Sequence, residues 1–348
     1  MHKTILAMTL CLLVTGCTGY YAQAVNGQMQ LLAATRPIPE VINDAATDPM
    51  LRQRLERIIA IREFASRELK LPNNGSYRSY ADLKRPFVVW NVFAAPEFSV
   101  EPQMWCMLFV GCVNYRGYYD KNDADLYASE LKQAGTDTHI GGVSAYSTLG
   151  YFNDPVLNTF LRFGETEAAR VIFHELAHQL IYAKGDTAFN ESFATTVENE
   201  GMRRWLTQTP ERLQNFELKQ QHKAQFYRLV MDTRDKLRAL YASSLTPGEK
   251  RNAKAEALAE MKRTYIGLKA SWGGQGDYDQ WFNQPLNNAA LSSVTLYTQW
   301  IPAFHALLEQ EGMSLPRFYQ RVAALAQLPV TERTAALGRL LPDHAASP

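Results

Sequence analysis

Two histidines four residues apart, with a glutamate directly after the first, constrain this chain more than any other feature. They are His174 and His178 in the run His174-Glu175-Leu176-Ala177-His178. Residues four apart share one face of an α-helix, so both imidazoles can reach a single metal ion while Glu175 stands beside them. Ile172, Phe173, Leu176 and Leu180 supply an apolar face on the same segment. A hydrolytic zinc takes three protein ligands and leaves one position open, so a third ligand must come from elsewhere. Lys184-Gly185 reads as a basic last turn followed by a C′ glycine, ending the helix near Tyr182 or Ala183. A second helix is expected from about Asn190. This reversal would lay the two helices side by side and bring Glu191 to the metal, with Glu198 one heptad later on the same face, either supporting a ligand from behind or serving as a reserve ligand.

The rest of the chain is compatible with a globular enzyme. Its 348 residues carry a formal net charge of +1, which lacks the basic surplus needed for nucleic-acid binding. Leu51, Leu55, Ile58, Ile59, Phe64 and Leu69 recur at helical spacing after Asp48-Pro49. Residues 86–94, 105–119 and 138–148 are β-branched, aromatic and glycine-punctuated, and read as strands. From Asn190 onward the pattern is almost wholly helical, with a capping box at Thr246-Pro247-Gly248-Glu249. The expected fold class is therefore α+β, a small mixed β-sheet sublobe followed by the active-site helices and a mostly helical lobe. His139, His222, His305 and His344 have no ligand spacing and read as ordinary surface or core histidines.

The N-terminus departs from this profile. Lys3 precedes the apolar run Ile5–Val14, too short to span a bilayer and of signal-peptide form. Val14-Thr15-Gly16-Cys17 resembles the bacterial lipobox, which implies removal of residues 1–16 and lipidation of Cys17. Thr18 resembles the outer-membrane sorting pattern, so the mature chain is expected on the outer membrane, facing the periplasm. Residues 17–44 are expected to form a tether, and residues 45–345 one two-lobed domain divided at 188/189. Cys106 and Cys112 then remain, and an oxidising periplasm favours a disulfide between them. Reduced thiols are the alternative; a cysteine metal site lacks the ligand count.

HELAH followed by Asn190-Glu191-Ser192-Phe193-Ala194 resembles the gluzincin metallopeptidases. With the lipobox in front, the whole chain is similar to a bacterial lipoprotein family of predicted aminopeptidases. The resemblance implies zinc held by His174, His178 and Glu191, and hydrolysis of peptide bonds by a metal-activated water with Glu175 as general base. It also implies an oxyanion donor from the C-terminal lobe, for which Tyr265, Tyr278 and Tyr297 are eligible and Tyr297 is preferred. The strand around Gly141-Gly142-Val143 is expected to align substrate along its edge. An aminopeptidase further needs an acid for the substrate's α-ammonium, and Asp154, Glu165 and Glu198 are the candidates. The rival readings are a zinc endopeptidase, a non-catalytic binding or envelope-assembly lipoprotein on the same scaffold, and a structural zinc, which three ligands disfavour.

Overall fold

The structure is a computed structural model, and it describes residues 19–107, 111–295 and 299–341. The chain opens with helix α1 at residues 19–33, then β1 (Thr35–Pro37), α2 (Ile38–Asn43) and α3 (Pro49–Arg67). Asp48 caps α3 by accepting from the backbone N–H groups of Met50 and Leu51, with Pro49 in the first turn. Short strands follow: β2 (Ser79–Ala81), β3 (Val89–Pro96), β4 (Trp105–Met107), β5 (Gly111–Val113) and β6 (Arg116–Tyr118). Helix α4 (Lys121–Gln133) leads into β7 (Thr136–Val143), and β8 (Val156–Leu157) into the single turn α5 (Asn158–Leu161). The remainder is helical: α6 (Glu165–Leu180), α7 (Thr187–Leu206), α8 (Pro210–Ala242), α9 (Pro247–Ser271), α10 (Asp279–Phe282), α11 (Asn288–Thr295), α12 (Ile301–Gln310), α13 (Leu315–Ala326) and α14 (Val330–Gly338). The α+β class expected from the sequence is what forms.

One three-stranded sheet has the order β6-β3-β7, with both pairings antiparallel, and so leaves β7 at an edge. β3 is buried on nearly every residue because α4 and α11 pack against this sheet. A second small sheet, β1-β2-β8, joins the N-terminal segment to the approach to α5. β4 and β5 form a hairpin that pairs Cys106 with Cys112 and is closed by a disulfide between them.

Two packed cores divide the helices. The larger gathers Leu55, Ile58 and Ile61 of α3, Ile172, Phe173 and Leu176 of α6, Phe193 and Val197 of α7, and Phe304 and Phe318 of α12 and α13. The smaller lies along α8 and α9, where Phe226 stacks on Tyr278 and Tyr265 on Phe282. A boundary at 188/189 therefore falls within α7, inside the larger core, while the smaller core is built chiefly on α8, α9 and α10. The tether expected at residues 17–44 is also different over the part described. α1, β1 and α2 are ordered elements, and Leu31, Ile38 and Val41 are buried in the larger core. Polar side chains mark this segment as a linker, yet its few apolar residues that are buried carry it into the folded body. The described residues contain no helix long and apolar enough to cross a membrane.

Candidate metal centre

α6 begins with Glu165 and Glu167 in its first turn, where acids complement the exposed amide dipoles. It stops at Leu180 because Ile181 turns extended, slightly earlier than the glycine alone suggested. Gly185 then takes φ 78°, a conformation that a side chain would disfavour, and reverses the chain. α7 starts at Thr187, before Asn190, with the Asp186 side chain accepting from the Phe189 backbone N–H. Asn190 fastens this reversal. Its side chain accepts from the backbone N–H of Ala183 at 2.7 Å and donates to the Ala183 carbonyl at 2.9 Å, both buried. Arg333 of α14 adds an ion pair to Asp186 at 2.6 Å. Glu191 is the next residue after that buried clasp, so its backbone has little freedom.

His174, His178 and Glu191 come together, each offering a donor atom within 4.8 Å of the others, a group that could hold a metal ion. His174 Nε2 lies 3.2 Å from one Glu191 oxygen and His178 Nε2 3.6 Å from the other. Glu198 takes a different position. One of its oxygens is 2.9 Å from His174 Nδ1 and the other accepts from Arg170 at 3.1 Å. Glu198 therefore orients the imidazole from behind, the arrangement by which a carboxylate commonly fixes the tautomer of a ligating histidine. The His178 Nδ1 atom is buried without a partner.

The electrostatics suit a cation. Burial pushes the His178 imidazole down to about 4, leaving it neutral with lone pairs available near pH 7. Burial also opposes charge on His174, but the Glu191 and Glu198 carboxylates outweigh it and hold that ring's proton up to about 10. Glu191 is raised by burial and lowered more strongly by His178 and His174, so it remains an anion. Two carboxylates flanking one imidazole thus demand positive charge, which a divalent ion can supply in place of the proton. Two nitrogens and one oxygen, open on one side to a cavity, match the donor set of hydrolytic zinc rather than the closed four-ligand structural type. Burial raises Glu175 to about 7, with His174 opposing, so its carboxyl sits where a proton can be both taken and returned near neutrality.

These residues open into a cavity of about 670 Å³. Its sheet side is formed by Val89, Phe93, His139 and Gly141–Val143, and its hairpin side by Val113 and Tyr115. His139, which spacing alone gave no role, is buried in this wall and pushed down to about 4 by burial. His222 is instead packed away, stacked on Trp272 with Asp277 2.9 Å from its Nδ1; His305 lies beside Glu309 on α12, and His344 lies outside the described residues.

Two of the three eligible oxyanion donors, Tyr265 and Tyr278, lie away from this cavity. Tyr265 hydrogen-bonds Asp279 and Tyr278 stacks on Phe226, both inside the smaller core, while Tyr297 lies outside the described residues. The tyrosines that line the cavity are Tyr20, Tyr115, Tyr119, Tyr146 and Tyr182. No helical or strand period flags them, because they come from four separate segments. The three candidate acids for an α-ammonium are also engaged elsewhere. Asp154 accepts from Thr148 and Gln179, Glu165 pairs with Arg57 and Arg212, and Glu198 holds His174. Among the described lining residues the only carboxylates are Glu175 and Glu191. Cys17 lies outside the described residues.

No curated protein and no solved structure matches the chain. Residues 19–337 match the model of the family described as putative aminopeptidase, a span that begins with α1 and ends within α14. With that match covering nearly the whole described chain, the protein belongs to this peptidase family.

Proposed function

We propose that this protein is a zinc-dependent peptidase of gluzincin type, probing peptides in a cavity beside the α6–α7 pair and anchored by a lipid on Cys17 to the outer membrane, facing the periplasm. The observation that carries the reading is the convergence of His174, His178 and Glu191 at the floor of the cavity, with Glu175 next to them. His174, His178 and Glu191 would hold the zinc ion, which would supply Lewis acidity toward a substrate carbonyl and a water. Glu175 accepts the proton of that water and returns it to the leaving amine, a task suited to a carboxyl raised to about 7. Glu198, backed by Arg170, keeps His174 in one tautomer.

Tyr115 is the favoured donor to the developing oxyanion. It lines the cavity, and burial together with the Glu191 charge raises its hydroxyl, so it keeps its proton at neutral pH and can donate. β7 offers substrate an edge. Asn287 takes the Thr138 carbonyl and Thr159 the Ser144 carbonyl, so by the two-residue alternation of a strand the backbone groups of Ile140 and Gly142 face the same side between them. An extended peptide can pair there. Removal of N-terminal residues, in keeping with the family description, is the proposed outcome.

Metal analysis of purified protein combined with digestion of a peptide library tests the reading. About one zinc per chain and stepwise release of N-terminal residues are expected. Internal cleavage would make the protein an endopeptidase, and zinc without any cleavage would favour the non-catalytic alternative. Cys17→Ser is expected to release the protein from membranes; unchanged membrane fractionation would refute the anchor.

A further inference from the structure

The cavity has a wall that the metal-binding motif does not contain. Tyr20 and Ala24 of α1 line the same space as His174, Glu175 and His178, although they precede them by some 150 residues in the chain. Contacts to remote residues hold this helix in place. The Gln23 side chain donates to the Gly117 carbonyl at 3.2 Å and accepts from the Tyr119 backbone N–H at 3.2 Å. One side chain thus pairs with the open edge of β6 much as a neighbouring strand would. Gln28 accepts from the Tyr119 hydroxyl at 3.0 Å and from the Tyr146 hydroxyl, both tyrosines being cavity residues. Gly27 lies flat against the Tyr119 ring, where an added Cβ would fall 2.1 Å from a ring carbon. Only glycine allows that approach. The Arg116 guanidinium stands 4.1 Å from the Tyr20 ring centroid, and Leu31 is buried in the larger core.

α1 is therefore held in the wall of the cavity that the metal-binding side chains also line. Its chemistry is as definite as its position, since residues 19–35 contain no Asp, Glu, Lys, Arg or His. The side it turns to the cavity is apolar and phenolic, and Val143 and Ala145 continue that character along the same lining. The Arg116 guanidinium is turned onto the rings of Tyr20, Tyr118 and Tyr127 and is not part of the lining, so a charged substrate side chain would lose hydration there, whereas an apolar one would gain from leaving water.

We propose that α1 forms a substrate side-chain subsite, and that Tyr20 and Ala24 select an apolar or aromatic residue beside the scissile bond. The inference rests on the metallopeptidase reading. Leucine hydroxamate and glycine hydroxamate share a zinc-chelating group and an α-amine and differ in the side chain, so their binding to the zinc-loaded protein by calorimetry needs no turnover. The wild type is expected to bind leucine hydroxamate at least about tenfold more tightly than glycine hydroxamate, the fold-change that burying such a side chain implies. Ala24→Trp, which fills the subsite, is expected to erase that preference while zinc content and the thermal melt stay as in the wild type. Tyr20→Ala, which enlarges it, is expected to shift the preference toward phenylalanine hydroxamate.

Gly27→Val gives an independent arm. It is expected to undock α1, so that limited proteolysis cuts within residues 19–33 and the leucine preference disappears with zinc still bound. A wild-type protein that binds glycine hydroxamate without preferring leucine hydroxamate overturns the subsite alone. A wild type that binds neither compound overturns the metallopeptidase reading and the subsite with it. An Ala24→Trp protein that keeps the full preference also overturns the subsite.

Discussion

The cavity is bounded by two walls of opposite character. The α6–α7 wall gathers the ionisable groups: His174, Glu175, His178, Glu191 and Glu198 span 25 positions of sequence, and close histidine–carboxylate contacts link all of them but Glu175. The facing lining, from α1, the β6-β3-β7 sheet and the hairpin, is uncharged, and it draws Tyr20, Tyr115, His139 and Tyr146 from separate segments. Chemistry that needs several groups on one ion is served by neighbouring turns of helix, which hold short separations reliably. A surface that measures the size of a substrate has no such need for closeness in sequence and is assembled from whatever the fold brings alongside.

That contrast can be broken at several points. The largest effect is expected on the charged wall, where Glu175→Gln should lower kcat by about 10²- to 10⁴-fold with zinc content unchanged, as measured by peptide turnover and metal analysis. Full turnover in that variant would remove Glu175 from the mechanism. On the opposite wall the expected effect is on stability rather than turnover. Burial holds His139 at about 4 when folded, against 6.5 for an unperturbed histidine. Between those values the unfolded chain binds the extra proton. Stability from this group is thus fully present above pH 6.5 and declines as pH falls toward 4, by up to about 3 kcal/mol. Urea titrations of wild type and His139→Gln across that range should differ in slope; parallel curves would mean that His139 reaches solvent more freely than its burial implies.

A third comparison separates the ligand from the residue behind it. Glu198→Gln should weaken zinc binding by about 10- to 100-fold, the usual consequence of removing a partner of a ligating histidine, and Glu191→Ala by more. Competition with a chelator reads both affinities, and the reverse order would exchange the two roles. The smallest effect is expected at the hairpin. Replacing Cys106 and Cys112 with serine removes a short loop closure worth about 2 kcal/mol on a chain-entropy basis. It should loosen the approach to Val113 and Tyr115 more than the global fold, visible as faster hydrogen exchange in residues 111–115 than in α6.

Much of the α6–α7 wall is legible in the order of its residues, for local reasons. The four-residue spacing of His174 and His178 and the glycine reversal are short-range signals, whereas the next helix starts at Thr187, earlier than the Asn190 start expected from the sequence. What spacing cannot separate is Glu191 from Glu198, since both face the same side of one helix. Arg170 decides between them, as its guanidinium draws one Glu198 oxygen and leaves the other to His174 Nδ1. The role of Asn190 is equally hidden, because its partner is the backbone of Ala183 and any residue type has one.

The α+β class and the helix that carries His174 and His178 on one face can be read from the amino-acid order alone, because helix periodicity and capping act over a few residues. Long-range packing was needed to place residues 19–43 in the folded body rather than in a tether, to join α6 and α7 to α12 and α13 in one core, and to set His139 and five tyrosines around the cavity. Those outcomes depend on which apolar faces find one another across hundreds of residues, and on close approaches such as Gly27 against Tyr119, where the partner is set by packing and not by proximity along the chain.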